Sequence, residues 1–266
     1  MTEEKASGNQ SLIRGLKLID LLSNYPNGCP LAQLAELAQL NKSTVHRLLQ
    51  GLQQEGFVQP ATTTGSYRLT TKCLSIGHKM FSSMNIIHLA APYLEQLNLK
   101  TGETVNFSMR ENDLAIMIYK LEPTTGMLQT RAYIGQRMPL FCSGMGKLYL
   151  AFDPNRETYL ENYWLQHSAE IRPLTCHTIT DLVAMKQELS VISGQKFALD
   201  KEENELGVTC IAYPIFNFKN EVKYAISVSM SVSRLAQIGT DFLHQELKAT
   251  AEAISQELGW EKENKG

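Results

Sequence analysis

The stretch from 31 to 52, Leu-Ala-Gln-Leu-Ala-Glu-Leu-Ala-Gln-Leu-Asn-Lys-Ser-Thr-Val-His-Arg-Leu-Leu-Gln-Gly-Leu, constrains the fold more than any other part of the chain. Leu31, Leu34, Ala35 and Ala38 recur at i, i+3, i+4 and i+7, the spacing of one buried helical stripe. Val45, Leu48, Leu49 and Leu52 repeat that spacing after a tight polar turn. Asn41 or Ser43 can cap the second helix, because a side-chain oxygen there can accept one of its first unpaired N–H groups. Opposite the second stripe stand Ser43, Thr44, Arg47 and Gln50, with Lys42 and His46 on the shoulders. A helix with leucines on one side and hydroxyls, an amide, an imidazole and a guanidinium on the other has the chemistry of a major-groove reader. The bland alternative is a helical hairpin whose polar face is merely solvated.

The residues immediately downstream narrow the choice. Residues 56–69, Gly-Phe-Val-Gln-Pro-Ala-Thr-Thr-Thr-Gly-Ser-Tyr-Arg-Leu, read as two short strands around a Thr/Gly turn. Such a hairpin forms a wing, from which Arg68 could touch a phosphate or the minor groove. Charge adds little. The whole chain carries −2, and residues 1–70 hold six basic against five acidic side chains. The expectation of DNA binding therefore rests on local placement, not on a basic field.

Two domains fit the length of 266 residues. Residues 1–10 are expected to be a disordered N-terminus, 11–71 a winged helix-turn-helix domain and 72–84 a helical linker, with Ser82-Ser83 and Pro92 breaking or starting helices. The first helix, from Ser11 to about Ser23, carries too many apolar residues for one stripe. Leu12, Leu16, Ile19 and Leu22 are expected to face the domain core, leaving Leu18, Leu21 and Tyr25 for a dimer contact. Residues 85–259 are expected to form an effector-binding domain, and 260–266 a tail. From Glu103 the period becomes two, with strands at 114–119, 127–134, 196–200, 208–216 and 222–232 and helices at 144–152, 155–165, 180–193 and 239–258. Hairpins followed by helices make an α+β domain on a mainly antiparallel sheet. The five cysteines are odd in number, widely spaced and without a C-x-x-C pair, which suits reduced thiols and argues against a disulfide framework or cysteine-rich zinc site. The histidines are scattered, so neither a metal nor another cofactor is expected. The short acidic N-terminus lacks an apolar leader, and no apolar run reaches membrane-spanning length, so a cytoplasmic protein is expected.

Three stretches of the second domain suggest one ligand site. Ser143-Gly144-Met145-Gly146-Lys147 opens a helix, where exposed N–H groups and the helix dipole can seat a carboxylate or phosphate. It is no P-loop, lacking both the upstream Gly and the following Ser/Thr. In 222–232, Val222, Tyr224, Ile226, Val228, Met230 and Val232 alternate with Ser227, Ser229 and Ser231, a greasy face against a hydroxyl face. Asp200 ends one strand, and Val208 and Cys210 share a face of the next. Each feature alone has a duller explanation: a turn, an exposed face, a small core thiol.

Taken together, Leu40-Asn-Lys-Ser-Thr-Val-His-Arg-Leu-Leu49, Gly135-Gln-Arg-Met-Pro-Leu140, Ser143-Gly-Met-Gly-Lys147, Asp200–Ala212 and Ala225-Ile-Ser-Val-Ser229 resemble, in order, the IclR-type bacterial transcription regulators. The segments 24–31 and 119–127 look like members that repress a diketogulonate/ascorbate-type sugar catabolic operon. The resemblance implies a homodimer, often paired into a tetramer, that reads a palindromic promoter site in double-stranded DNA. It also implies a small carboxylic-acid effector. Carried over by position, the effector lining would be Met127, Thr130, Gly144, Met145, Asp200, Val208, Cys210, Ser227 and Ser229. Met145 and Leu148 depart from the family's small residue and alanine, leaving pocket size open.

Two other readings compete. An enzyme would use Cys210 as nucleophile with His177 or Asp200, yet that cysteine sits mid-strand between apolar neighbours. A purely architectural DNA protein would have no use for a hydroxyl-lined second domain.

Overall fold

The structure is a computed structural model and describes residues 9–63, 65–82, 85–124 and 130–261. The chain divides into two units, 1–84 and 85–266. The expected disorder of the first residues and the end of the tail, 262–266, fall outside the described residues, as do Ser83 and Met127.

The first unit runs α1 (Gln10–Ser23), β1 (Cys29–Pro30), α2 (Leu31–Ala38), α3 (Lys42–Gln54), β2 (Val58–Pro60), β3 (Ser66–Leu69) and α4 (Lys72–Ser82). β3 lies between β1 and β2, antiparallel to both. Leu34, Ala35 and Ala38 of α2 and Val45 and Leu49 of α3 close on one core with Leu18, Leu22, Cys29 and Val58. Asn41 holds the cap position of α3 without a side-chain bond to the helix, and Ser43 lies inside it. The inward face of α1 differs from expectation. Gly15, Leu18 and Leu22 are buried, with Leu21 and Tyr25 packed beside them, while Leu12 and Leu16 are more than half exposed, as is Ile13. Periodicity cannot choose between two apolar faces; Gly15, in phase with Leu18 and Leu22, leaves that side the less bulky one.

The second unit begins with α5 (Asn85–Thr101), then β4 (Thr104–Glu111), β5 (Leu114–Leu121), β6 (Arg137–Pro139) and a 3-10 turn at Leu140–Cys142. It continues through α6 (Gly144–Ala151), α7 (Arg156–Gln166), α8 (Leu182–Gln195), β7 (Ala198–Lys201), β8 (Val208–Phe216), β9 (Val222–Ser231), α9 (Val232–Ile238) and α10 (Thr240–Glu257). The six strands form one antiparallel sheet in the order β6-β5-β4-β9-β8-β7. Alternation along β8 separates its layers: Ala212 meets α6, whereas Tyr213 bonds His244 of α10 on the other side. The architecture is thus α+β, a winged helix-turn-helix followed by an effector-type domain on an antiparallel sheet.

Three local expectations fail for identifiable reasons. α5 runs straight through Pro92, because Ile86, Ile87, Ala90, Leu94 and Leu97 bury its apolar side and offset the lost backbone bond. The described part of 127–134 is not a strand. A turn closes there on Gly135 at φ 89°, and the edge strand is Arg137–Pro139. Val232 leaves the alternation of β9 because Ser231 caps α9, its Oγ accepting from the Arg234 N–H at 3.2 Å.

A charged cluster ties α7 to the β4–β5 hairpin. His167 Nε2 lies 3.1 Å from Asp113 Oδ2 and its Nδ1 3.2 Å from Glu170 Oε2, while the Tyr159 hydroxyl donates to Asp113. Asp113 holds the imidazole above its ordinary value of 6.5. Burial pushes Asp113 upward, yet the bonds from Tyr159 and His167 bring it below 3.8. The raised imidazole stabilises below about pH 6.5 and loses that contribution as pH climbs through its folded value; the lowered carboxylate stabilises above about pH 4 and loses it on acidification. His167→Gln should therefore cost about 1 kcal/mol near pH 5 and much less near pH 8. Urea midpoints of both chains at the two pH values check this.

Candidate functional site

The polar face of α3 is assembled as the sequence suggests. Lys42, Ser43, His46, Arg47 and Gln50 are exposed and Thr44 is half-buried. None of these side chains has a hydrogen bond or ion pair among the described residues, so their donors and acceptors are available to a partner. Arg68 is exposed on β3 opposite Gln59, whose amide oxygen, once turned toward it, accepts from the guanidinium at 3.1 Å. Helix face and wing are carried by one hydrophobic core, the arrangement of a DNA reader.

In the second unit, strand register builds the other site. Asp200, Cys210, Ser229 and Thr104 lie side by side across β7, β8, β9 and β4, and Ala198, Ala212, Ser227 and Asn106 form the next row of the same face. Over these rows the start of α6 leaves a cavity of about 70 Å³. Thr130, Gly144, Met145, Asp200, Val208, Cys210, Ser227 and Ser229 all line it. Ser143 caps α6, its Oγ accepting from the Gly146 N–H at 3.1 Å, and Gly144 and Met145 present the first turn to the space. The two glycines serve packing as well. A Cβ at Gly144 would stand 3.2 Å from the Ala212 Cβ, and one at Gly146 only 2.3 Å from the Leu140 carbonyl oxygen.

Sequence reading missed the residue that organises the hydroxyls. Asn106 Nδ2 donates to Ser229 Oγ at 2.8 Å and to Ser227 Oγ at 3.3 Å, while its Oδ1 is buried without a partner among the described residues. Thr130 Oγ1 is likewise unpartnered. The signal was present: Asn106 and Ser108 alternate with the apolar Val105, Phe107 and Met109. Arg131 and Glu205 also line the cavity and form an ion pair at 3.4 Å.

Behind the lining sits a buried charge cluster. Lys147, fully buried, pairs with Glu203 at 2.6 Å and Glu188 at 3.0 Å. The Glu203 N–H donates to Asp200 Oδ1 at 2.7 Å. Burial, with the Glu203 carboxylate, pushes Asp200 up to about 6 against the pull of that N–H and of Lys147. The cavity can therefore accept hydrogen bonds through Asp200 and Asn106 Oδ1, and it can seat negative charge on the α6 N-terminus.

The enzyme reading fails on the same geometry. Burial drives the Cys210 thiol far above its ordinary range, and its nearest polar contact is the Ser229 hydroxyl at 3.0 Å. His177 is exposed and lines no part of the cavity. Asp200 stands beside Cys210 on the same sheet face, but its carboxylate pushes the thiol further up rather than lowering it, so the sulfur is not an activated nucleophile.

A DNA-reading winged helix followed by a separate small-molecule domain is the build of a ligand-responsive transcription factor. Residues 11–61 match the IclR helix-turn-helix domain and residues 78–256 the bacterial transcriptional regulator IclR C-terminal domain. The chain belongs to the IclR family of bacterial transcriptional regulators and is a DNA-binding transcriptional repressor, not an enzyme. It is 66% identical over 98% of its length, and 97% of the relative's, to an uncharacterised helix-turn-helix regulator of Haemophilus influenzae. It is 62% identical over 97% of its length, and 91% of the relative's, to the repressor YiaJ of Escherichia coli. The crystal structure of Thermotoga maritima IclR, 27% identical, superposes with a TM-score of 0.75, covering 94% of this chain and 99% of that one. No helix of the described residues is long and apolar enough to cross a membrane.

Proposed function

We propose that this repressor works in the cytoplasm on a sugar-acid catabolic operon, of the diketogulonate/ascorbate type, and that a sugar-derived carboxylic acid switches it. The observation that carries the reading is the cavity's mixed lining. A helix N-terminus suits a carboxylate, while Asp200, the orphaned Asn106 Oδ1 and the Ser227 and Ser229 hydroxyls suit a polyhydroxylated body. A plain alkyl acid would leave those acceptors unpaired and would bind weakly for that reason.

On the DNA side, Ser43, Thr44, Arg47 and Gln50 contact base edges or nearby phosphates of a palindromic site. Lys42, His46 and Arg68 contact phosphates. The chain acts as a homodimer or a pair of dimers, and the exposed apolar face of α1 at Leu12, Ile13 and Leu16 supplies the contact in place of Leu18. Effector and DNA binding are coupled by about 1–3 kcal/mol, roughly 5–150-fold in affinity.

The test is a titration of the protein onto its own upstream intergenic DNA with and without a panel of sugar-derived keto acids. One acid should shift a tight, salt-sensitive isotherm. Affinity no better than for random DNA, across genomic fragments as well, would sink the reading. Arg47→Ala should weaken operator binding by about 1–3 kcal/mol and leave effector affinity unchanged. An unaltered gel-shift midpoint would remove Arg47 from the interface.

A further inference from the structure

Asn106 stands on β4 in one row with Ser227 of β9 and Ala212 of β8, on the sheet face that α6 covers. The start of α6 reaches across that row. Gly144 lies against Ala212, where an added Cβ would stand 3.2 Å from the alanine's, and the Met145 sulfur accepts from Ser108 Oγ of β4 at 3.2 Å. The first turn of the helix and the Asn106 side chain therefore open into the same space of about 70 Å³. A ligand that sets a carboxylate on that turn brings its next carbons to Asn106.

Proton bookkeeping fixes what Asn106 needs. An amide side chain has two N–H donors and one acceptor oxygen. Both donors are spent, on Ser229 Oγ at 2.8 Å and Ser227 Oγ at 3.3 Å. The oxygen, on a residue only 3% exposed, has no partner among the described residues. The nearby cations are engaged elsewhere. Lys120, opposite Asn106 on β5, gives its ammonium to Glu122 Oε1 at 2.8 Å and to the Thr130 carbonyl at 3.2 Å, and Arg131 pairs with Glu205. The Ser227 hydroxyl, accepting an amide proton, keeps its own O–H to give to a ligand oxygen. What the lining lacks is a proton for Asn106 Oδ1.

A ligand hydroxyl supplies that proton and can accept from Ser227 as well. An oxo group in the same place accepts but cannot donate, and it buries Asn106 Oδ1 unpaired. We propose that Asn106 is a specificity-determining residue of this cavity, selecting acids that carry a hydroxyl near the carboxylate over acids with only an oxo group there. This selection presupposes the reading above, that a small carboxylic acid occupies the cavity, and adds which oxygen function the acid must carry. Sugar-derived keto acids meet the requirement through a hydroxyl close to their oxo group.

Calorimetry on the full chain at neutral pH compares each enantiomer of lactate with pyruvate, which has the same three carbons and the same charge. The better-bound lactate should exceed pyruvate about tenfold in affinity. In Asn106→Ala that ratio should fall to about one, through the loss of lactate binding. A fraction of unfolded chain lowers the apparent binding of both acids alike, so the ratio stays readable if the variant folds poorly. A merely structural role for Asn106 would weaken both acids and keep the ratio, and that result overturns the proposal. Equal or reversed affinities in the unsubstituted chain overturn it too. Val208→Phe, which crowds the cavity, should weaken both acids, and undiminished binding there would place them elsewhere and sink the selection. Equal affinities that are lost in Val208→Phe remove only the role of Asn106 and leave the carboxylic-acid reading standing. No binding of either acid overturns both.

Discussion

Lys147→Met is expected to lower unfolding stability by about 3–5 kcal/mol, because it strands a buried carboxylate. Lys147 is fully buried and Glu203 is 5% exposed, so neither has water to fall back on once its partner is gone. Glu188, 30% exposed, can rehydrate; Glu203 cannot. Its second oxygen already lacks a partner among the described residues, so removing the lysine takes away its one charged contact. The effect should reach the cavity through Asp200, which the Glu203 N–H holds and which Lys147 helps keep ionised. Without Lys147, Asp200 moves further above its present value of about 6. A carboxylate raised in the folded state stabilises at low pH and loses that contribution as pH rises through its folded value, so in the variant this decline extends to higher pH. Denaturant midpoints across the neutral range measure both effects. The double variant Lys147→Met/Glu203→Leu should recover most of the loss, since a pair replaced by apolar groups of similar bulk is far less costly than a half-removed pair. If Lys147→Met and the double variant are equally unstable, the cost lies in packing and not in the stranded charge.

Much of the fold and of the cavity was legible along the chain, and the limits are physical. The stripes of α2 and α3 are unambiguous because each helix is apolar on one side only. α1 defeats the same reasoning, since Leu12, Ile13 and Leu16 are as hydrophobic as Leu18, Leu21 and Leu22 and only packing around Gly15 decides which side turns inward. In the cavity, Gly144, Asp200, Cys210, Ser227 and Ser229 could be picked out by helix-start chemistry and strand alternation, which are local signals. Asn106 could not be joined to Ser227 and Ser229 without knowing that β4 pairs with β9, an adjacency between strands some 120 positions apart in sequence. The same holds for Lys147, which reads locally as part of a glycine-rich helix start. Its role depends on Glu188 and Glu203, brought in from α8 and from the turn between β7 and β8.

Gly146→Ala is expected to cost about 3 kcal/mol and to weaken effector binding while leaving the affinity of α3 for DNA intact. The reason is contact, not backbone freedom, because Gly146 is not among the positive-φ glycines. A Cβ there would stand 2.3 Å from the Leu140 carbonyl oxygen and 2.8 Å from the Leu140 carbonyl carbon and Cα, all backbone atoms of the turn that leads into α6. No rotamer can relieve that overlap. Either α6 or the 3-10 turn must move, and both are buried along their lengths, so the shift propagates to Gly144 and Met145 at the cavity. Gly144→Ala is the informative contrast. Its Cβ would meet the Ala212 Cβ at 3.2 Å, a side-chain contact that a few tenths of an ångström relieves, so about 1 kcal/mol is expected. Ala212→Gly should rescue Gly144→Ala, by removing the atom it meets, and should do nothing for Gly146→Ala. Thermal unfolding of the four chains, with calorimetric titration of the effector found by the promoter screen, separates the two cases. Equal losses for both glycines would show that α6 shifts freely on the sheet, and the close approach to Leu140 would then not be what fixes the cavity.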